Sequence, residues 1–439
     1  MNYIYLVVLG IVLSACSHTP TASQINKKMP LEEKVQDLET IPQDPSYYSA
    51  DIKAQYLGEI EEFAKHYFRV WDIAQISVTK EEASWAYVYD NNNSYTYTLQ
   101  TIDDDFFEQL KQESNLEKFA TLNQQGVSLR LLDLRALPTD KPIFLDPAKA
   151  GEGYPFDYLQ NSSLAANKPI LISHYSKDKK WAFIECSFGF GWVKSKDIVT
   201  IAPHYTAQWK EAEQIFFTKE NQPVYDQQGN FLFYSRVGMV LPLIQEDKNS
   251  FTVLAIGKTE DGTARFLHSK ISKDIAHKGV LQFNSANVTQ VMGELQKGRY
   301  GWGGIYGQRD CSSTLRDLFT PFGVWLPRNS SVQSSVGSVV DLEELQPEDK
   351  LAKIQQEAIP FQTLLYKQGH IGLYVGDFEN QVIMFQNVWG VKTKKDNIEG
   401  RFLISGPIFS TLEVGKNLSD YDPEASMLYK LKSINILTP

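Results

Sequence analysis

From Tyr300 to Ser313 the chain reads Tyr-Gly-Trp-Gly-Gly-Ile-Tyr-Gly-Gln-Arg-Asp-Cys-Ser-Ser, and the reading of this stretch decides the fold of the C-terminal part. A glycine-rich loop runs into a segment with Leu315, Leu318 and Phe319 on one helical face, ended by Pro321 and Gly323. Cys311 therefore falls in the first turn of an amphipathic helix. Unpaired amides and the positive dipole end favour thiolate over thiol there, and the same amides suit an oxyanion formed on an attacked carbonyl. The loop is not a dinucleotide cradle, because no strand pattern leads into it and no acidic ribose partner follows.

Working outward, Asn284 or Ser285 can cap a preceding helix with Val288, Val291, Met292 and Leu295 on one face, stopped by Gly298. Downstream, strands are expected at about 361–366, 370–375, 381–386 and 402–408. Residues 275–439 thus read as an α+β domain. His370 opens one of its strands, between Gly369 and Gly372, and supplies the imidazole that thiolate activation wants. Such a base needs its far ring nitrogen held so that the right tautomer faces the sulfur. Gln386 at the end of the next strand can accept that bond. Asn387 competes, and alternation from His370 does not choose between them without the register.

Upstream of 275 the texture differs. Residues 126–202 contain short runs split by turn residues, namely Leu129–Leu132, Ile143–Leu145, Ile170–Ile172, Trp181–Ile184 and Gly191–Val193, and read as a small β-barrel. Residues 203–274 repeat the texture after a Pro203-His204 linker, as a second, more divergent module of the same kind. Residues 31–125 are mainly helical: Tyr56, Ile60, Phe63, Tyr67 and Val70 fall at helical spacing, and Phe106, Leu110 and Leu116 continue that character.

At 439 residues the chain is too long for one ordinary core, and 42% hydrophobic with 22% charged residues is a globular profile. A net charge of −10 makes nucleic acid an unsuitable partner, since phosphate neutralisation needs a basic surface. The apolar run Tyr3 to Val12 is shorter than the about 20 residues that span a bilayer, and ends in Leu13-Ser14-Ala15-Cys16. It reads as an export segment, residues 1–16, followed by a polar tether over 17–30. Cys186 lies on an apolar strand and reads as a core residue. No His-x-x-x-His pair or cysteine cluster suggests zinc, and no cofactor is expected.

Several of these stretches resemble known families. Asp310-Cys311-Ser312 followed by Gly369-His370-Ile371 is similar to the pattern of the NlpC/p-sixty family of papain-like cysteine peptidases. Leu326-Pro327-Arg328-Asn329-Ser330 and Gly153-Tyr154-Pro155-Phe156-Asp157-Tyr158 extend the likeness. Trp181 with Gly191-Trp192-Val193 resembles bacterial SH3 domains, and Leu13-Ser14-Ala15-Cys16 resembles the lipobox in which the cysteine is lipidated. The resemblance implies a multidomain chain: a lid-like N-terminal domain, two SH3-like β-barrels and an α+β papain-like peptidase. It implies Cys311 as nucleophile, His370 as base and Gln386 as the third residue, a place where the family often has His. Asp310, Ser312 and Tyr300 would bind the substrate's free amine and shape the pocket, with Tyr158 or Glu152 of the first barrel closing the groove. The implied activity is hydrolysis of the γ-D-glutamyl-L-diamino acid bond in peptidoglycan stem peptides, by a protein lipid-anchored in the bacterial cell envelope. The rivals are an N-acetylmuramoyl-L-alanine amidase, a cross-link endopeptidase, or a non-catalytic wall-binding protein that uses its SH3-like modules.

Overall fold

The computed structural model describes residues 33–437 apart from 91, 92, 148 and 150. The export segment, the tether and Cys16 lie outside the described residues. The N-terminal domain is built from short helices. The helical spacing expected from Ile52 onward becomes only helix α1 (Ile60–Tyr67) and one further turn at Arg69–Trp71, leaving Tyr56 60% exposed. The chain before α1 is instead drawn out along the C-terminal domain, where Gln55 bridges Phe283. Gly58 presses so closely on Gly323 that a Cβ would collide with its carbonyl oxygen. Helix α2 (Asp104–Glu113) is capped by Asp103 and buries Phe107.

Seven strands follow: β1 (Gln124–Ser128), β2 (Leu132–Arg135), β3 (Gln160–Leu164), β4 (Pro169–Tyr175), β5 (Trp181–Cys186), β6 (Gly189–Lys194) and β7 (Ile198–Thr200). They form one sheet in the order β3-β2-β6-β5-β4-β1-β7. Two of the expected strands differ. Residues 129–131 form a bend before β2, and 143–145 form no strand: Phe144 bridges Tyr95, and Ile143 is buried with Ala86, Ile102 and Phe107 of the N-terminal domain. Cys186 is fully buried in this module and unpaired, as its apolar strand implies.

Helix α3 (Pro203–Glu211) leads into β8 (Gln214–Phe217), β9 (Pro223–Tyr225), β10 (Phe231–Tyr234), β11 (Val240–Glu246), β12 (Ser250–Lys258), β13 (Ala264–Ser272) and β14 (Ala276–Lys278). Five of them pair in the order β13-β12-β11-β8-β14, and β9 and β10 make a separate hairpin. Because β14 pairs with β8, the second module runs past the expected boundary at 274 to Lys278. One apolar cluster joins α1, both modules and α3, with Phe63 edge-on to Phe216 at 5.3 Å and Trp71 to Trp209 at 5.9 Å.

The C-terminal domain is α+β. Helices α4 (Ser285–Gln296), α5 (Cys311–Phe319) and α6 (Pro347–Glu357) accompany β15 (Ser338–Asp341), β16 (Thr363–Lys367), β17 (His370–Phe378), β18 (Gln381–Lys395), β19 (Ile398–Thr411) and β20 (Ser433–Ile436). The sheet order is β15-β20-β16-β17-β18-β19. One sheet face, with Leu364, Ile371, Leu373 and Phe385, packs on α4 and α5, and the other, with Leu365, Met384 and Ile434, packs on Ile354 of α6 and on Met427 and Leu428. Asn284 caps α4 through the Asn287 amide at 3.0 Å, where the sequence had left Asn284 and Ser285 open.

Candidate active site

Asp310 is the N-cap of α5 in a reciprocal capping box. Its carboxylate accepts from the Ser313 amide at 3.0 Å, and the Ser313 hydroxyl accepts from the Asp310 amide at 2.9 Å. The cap places Cys311 at the first helical position, 7% exposed. The backbone amides of Ile371 and Ser312 act on its sulfur in favour of the thiolate, and Cys311 packs in one apolar cluster with Ile371. Since Ile371 follows His370, this contact sets the thiol beside the strand that carries the imidazole.

The pairing of Leu373 with Phe385, continued toward the strand start, sets Gln386 across from Gly372. His370, two residues earlier, therefore shares a face with Gln386. His370 Nε2 lies 2.7 Å from Gln386 Oε1. The Gln386 amide nitrogen donates to Ser410 Oγ at 2.7 Å, and the Ser410 hydroxyl donates to the Thr411 carbonyl at 3.0 Å. Because that carbonyl only accepts, the relay fixes the amide oxygen toward the imidazole. The proton then sits on Nε2 and the lone pair on Nδ1. Asn387 is on the opposite face, where it donates to the Arg309 carbonyl at 2.8 Å and to Thr314 Oγ1 at 2.9 Å, holding the loop ahead of the helix.

The electrostatics run against the expected resting thiolate. Burial, then the Asp310 carboxylate, pushes the Cys311 thiol up to about 12, despite the opposing amides and Arg328. Burial, then Lys367, brings the His370 imidazole down to about 4, against the Gln386 bond and Asp310. The helix start favours the thiolate, but desolvation outweighs it, and the pair rests neutral.

Three arrangements around the site join segments that nothing in the sequence paired. Arg328 donates to the Asp310 carboxylate and the Ser312 hydroxyl, and its Nε reaches Ser162 Oγ of β3 at 3.0 Å. Asp310 and Ser312 are thus buried and already bonded before any substrate arrives. Arg309 reaches Asp317 at 2.6 Å and Glu220 of the second module at 2.7 Å. Gly303 and Gly304 have positive φ and meet β3 so closely that a Cβ would strike the Gln160 carbonyl or the Ser163 hydroxyl. On that loop, Trp302 Nε1 donates to the Asp157 carbonyl at 3.1 Å, and its ring lies 5.2 Å from Phe156 and 6.0 Å from Tyr158. Glu152 instead accepts from the Asp146 amide at 3.1 Å.

Tyr300, its hydroxyl's pKa raised by burial and by Cys311 and Asp310, lines a cleft of about 790 Å³ together with His370, Gln386, Phe156, Trp302 and Trp389. Cys311 itself is not among the lining residues. No residue of 33–125 contributes to it among the described residues. Those residues brace the domain from behind: Gln43 exchanges bonds with the Phe409 backbone at 2.8 and 3.0 Å, and Asp37 accepts from Thr411 at 2.8 Å.

Fold and site together define a protein whose SH3-like modules and bracing N-terminal segment surround an α+β domain with a thiol packed against the strand that carries an imidazole. Family models match in the same sequence: an NLPC_P60 stabilising N-terminal domain at residues 5–119, an SH3 domain of SH3b1 type at 142–194, an SH3 domain of SH3b2 type at 206–248, and the NlpC/P60 family at 297–399. The chain thus carries the stabilising domain, the two SH3 domains and the NlpC/P60 domain of an NlpC/P60 family peptidase, the last over residues 297–399. A solved NlpC/P60 endopeptidase from Photobacterium damselae subsp. piscicida is similar at 25% identity and a TM-score of 0.77, over 91% of this chain and 98% of that one. An NlpC/P60 family protein from Bacillus cereus ATCC 10987 is 15% identical, with a TM-score of 0.47 over 72% of this chain and 100% of that one. No curated protein matched.

Proposed function

We propose that this chain is an exported cysteine peptidase that cuts peptidoglycan stem peptides at the γ-D-glutamyl-L-diamino acid bond. The observation that carries the reading is the 2.7 Å contact of His370 Nε2 with Gln386 Oε1, on a strand whose next residue, Ile371, packs in one cluster with Cys311. In this mechanism His370 Nδ1 takes the thiol proton as the sulfur attacks the γ-carbonyl. Amides at the start of α5 face the oxyanion, and His370 then gives its proton to the leaving amine. Water, deprotonated by the same imidazole, resolves the thioester and regenerates the thiol. Because both groups rest neutral, proton transfer accompanies attack instead of preceding it.

The free amine of the substrate's L-alanine faces Asp310 and Ser312, which Arg328 pre-orients. An ammonium there offsets the push of Asp310 on the thiol and lowers the cost of ionising it. Tyr300 shapes that end, and Phe156, Tyr158 and Trp302 close it. The SH3-like modules suit the peptidoglycan substrate, and lipidation at Cys16 ties the protein to an envelope membrane. Mass analysis of muropeptide digests tests the reading. Wild type releases the diamino-acid fragment and Cys311→Ala releases none. Turnover by Cys311→Ala would overturn the nucleophile, and release of intact stem peptides would point to an amidase instead.

A further inference from the structure

The cleft is charged lopsidedly. Six basic residues line it against two acidic ones, Glu343 and Asp422. Both acids are taken: Glu343 pairs with Lys432 at 2.6 Å, and Asp422 lies 3.9 Å from Lys392. Lys367, Arg401 and Lys430 have no carboxylate partner among the described residues. Lys367 is the strand partner of His370 across the β16–β17 turn, and its ammonium donates only to the Ala425 carbonyl, at 2.8 Å. Arg401 pairs across β18–β19 with Lys392, and its guanidinium makes no hydrogen bond or ion pair among the described residues. Burial, then Arg401, Lys430 and Lys392, brings the Lys367 ammonium down to about 8, so these cations act on one another. Lys367 and Arg401 are half-buried at the rim of the cleft and neither forms an ion pair among the described residues, with Glu399 and Asp422 acting on Arg401 only at longer range, so both cations are short of the compensation such charges ordinarily find within a protein.

The direction of the cleft says which half of a substrate meets them. Asp310 and Arg328 lie on the nucleophile's side. His370 must reach the leaving nitrogen to protonate it, so the leaving half runs over the His370 side, where Lys367 stands. We propose that the wall beyond His370 is a carboxylate-binding subsite for the leaving half of the substrate, with Lys367 and Arg401 as its anchoring cations. This rests on the peptidase reading above. Two carboxylates of a diamino-acid leaving fragment fit the chemistry: the one on its side chain and the one at the peptide's C-terminus.

The test titrates the full-length wild-type protein with a diaminopimelyl-D-alanine dipeptide, read by calorimetry. Two companions carry an amide either at the C-terminus or on the side-chain carboxylate. The engaged carboxylate is the one whose amidation weakens binding about tenfold or more, the loss expected for a charge-assisted bond. Arg401→Gln, which removes no hydrogen bond or ion pair among the described residues, should erase the difference between acid and amide, and Lys367→Gln should reduce it. Equal affinity for all three ligands, absence of saturable binding, or an acid preference that survives Arg401→Gln would each overturn the subsite. Cleavage of a whole stem peptide is scored separately, so failure of the peptidase reading is distinguishable from failure of this one.

Discussion

The two SH3-like modules reach the same segment, α5 and the loop ahead of it, by different physics. The first lays β3 against the glycine loop. Gln160 donates to the Gly303 carbonyl at 3.1 Å, Trp302 donates to Asp157, and Phe156 enters the cleft wall. The second holds the back with charge: Glu220 and Arg309 at 2.7 Å, Arg309 and Asp317 at 2.6 Å, and Arg236 on the Gly307 and Gln308 carbonyls. Contacts of the first kind set positions. Contacts of the second kind are costly to desolvate and stabilise only as a complete set. One module is thus a wall and the other a brace, so damage to the wall should appear in turnover and damage to the brace in stability.

The largest effect is expected in the brace. Asp317→Asn leaves Arg309, Arg316 and Arg236 short of their shared carboxylate and should cost about 3–5 kcal/mol in urea unfolding. Turnover of the folded fraction should stay within a few-fold. Burial raises the Asp317 carboxyl, but Arg316, Arg309 and Arg236 outweigh it and hold it below the usual carboxylate range. Its contribution is therefore complete above the ordinary value of 3.8 and is lost as pH falls through the lower folded value. The gap between wild type and variant should be full at neutral pH and shrink below about pH 4. A variant with unchanged stability and poor turnover would reverse the assignment of wall and brace.

Next in size is the wall. Gly303→Ala strikes the Gln160 carbonyl from a positive φ of 56° and must push the loop off β3. It should lower stability by about 1–3 kcal/mol, while displacement of Tyr300 and Trp302 cuts kcat/KM by about ten- to hundredfold. Steady-state kinetics well below the melting temperature separate the two losses. Wild-type kinetics in this variant would mean that the first module packs on the site without shaping it.

The same contrast explains what the sequence disclosed. The Cys311 helix start, the α4 cap and the strand of His370 rest on neighbours within a few residues, where capping chemistry and glycine stops are local signals. The wall was partly visible, because Gly301, Gly303, Gly304 and the 153–158 stretch are unusual in composition. The brace was invisible: Glu220 and Arg309 meet though 89 positions apart, and with Asp317 they look like ordinary surface charges. Choosing between Gln386 and Asn387 needed the register, which depends on a bulge between Tyr374 and Gly376. The hairpin β18–β19 runs well beyond the expected 381–386 and 402–408. Its outer half, with Lys392, Lys394 and Lys395, lacks apolar alternation, and only the Asp396-Asn397 turn, with φ of 50° and 64°, marks its end.

A smaller effect should follow from the relay behind the imidazole. Ser410→Ala removes the acceptor of the Gln386 NH₂, so the amide can turn and offer its nitrogen to His370, which favours the wrong tautomer. We expect kcat to fall about tenfold, the worth of one charge-assisted bond, with KM little changed. Ser410→Thr should recover most of it. A Ser410→Ala variant with normal kcat would show that the Gln386 orientation is held by the strand alone.

The smallest effect concerns the far end of the cleft, where Lys367 stands beside His370. Lys367 adds to burial in holding the His370 imidazole down to about 4. His370 must be neutral to take the thiol proton, so the acid limb of kcat/KM should fall near that value and not near the ordinary 6.5. Removing the positive charge favours the imidazolium, so Lys367→Gln raises the imidazole pKa and moves the acid limb to higher pH, by up to about one unit. The plateau above pH 7 should change only through KM, as the subsite would require. A limb that stays in place, or moves to lower pH, would mean that burial alone sets the imidazole and that Lys367 serves only to hold the chain at Ala425.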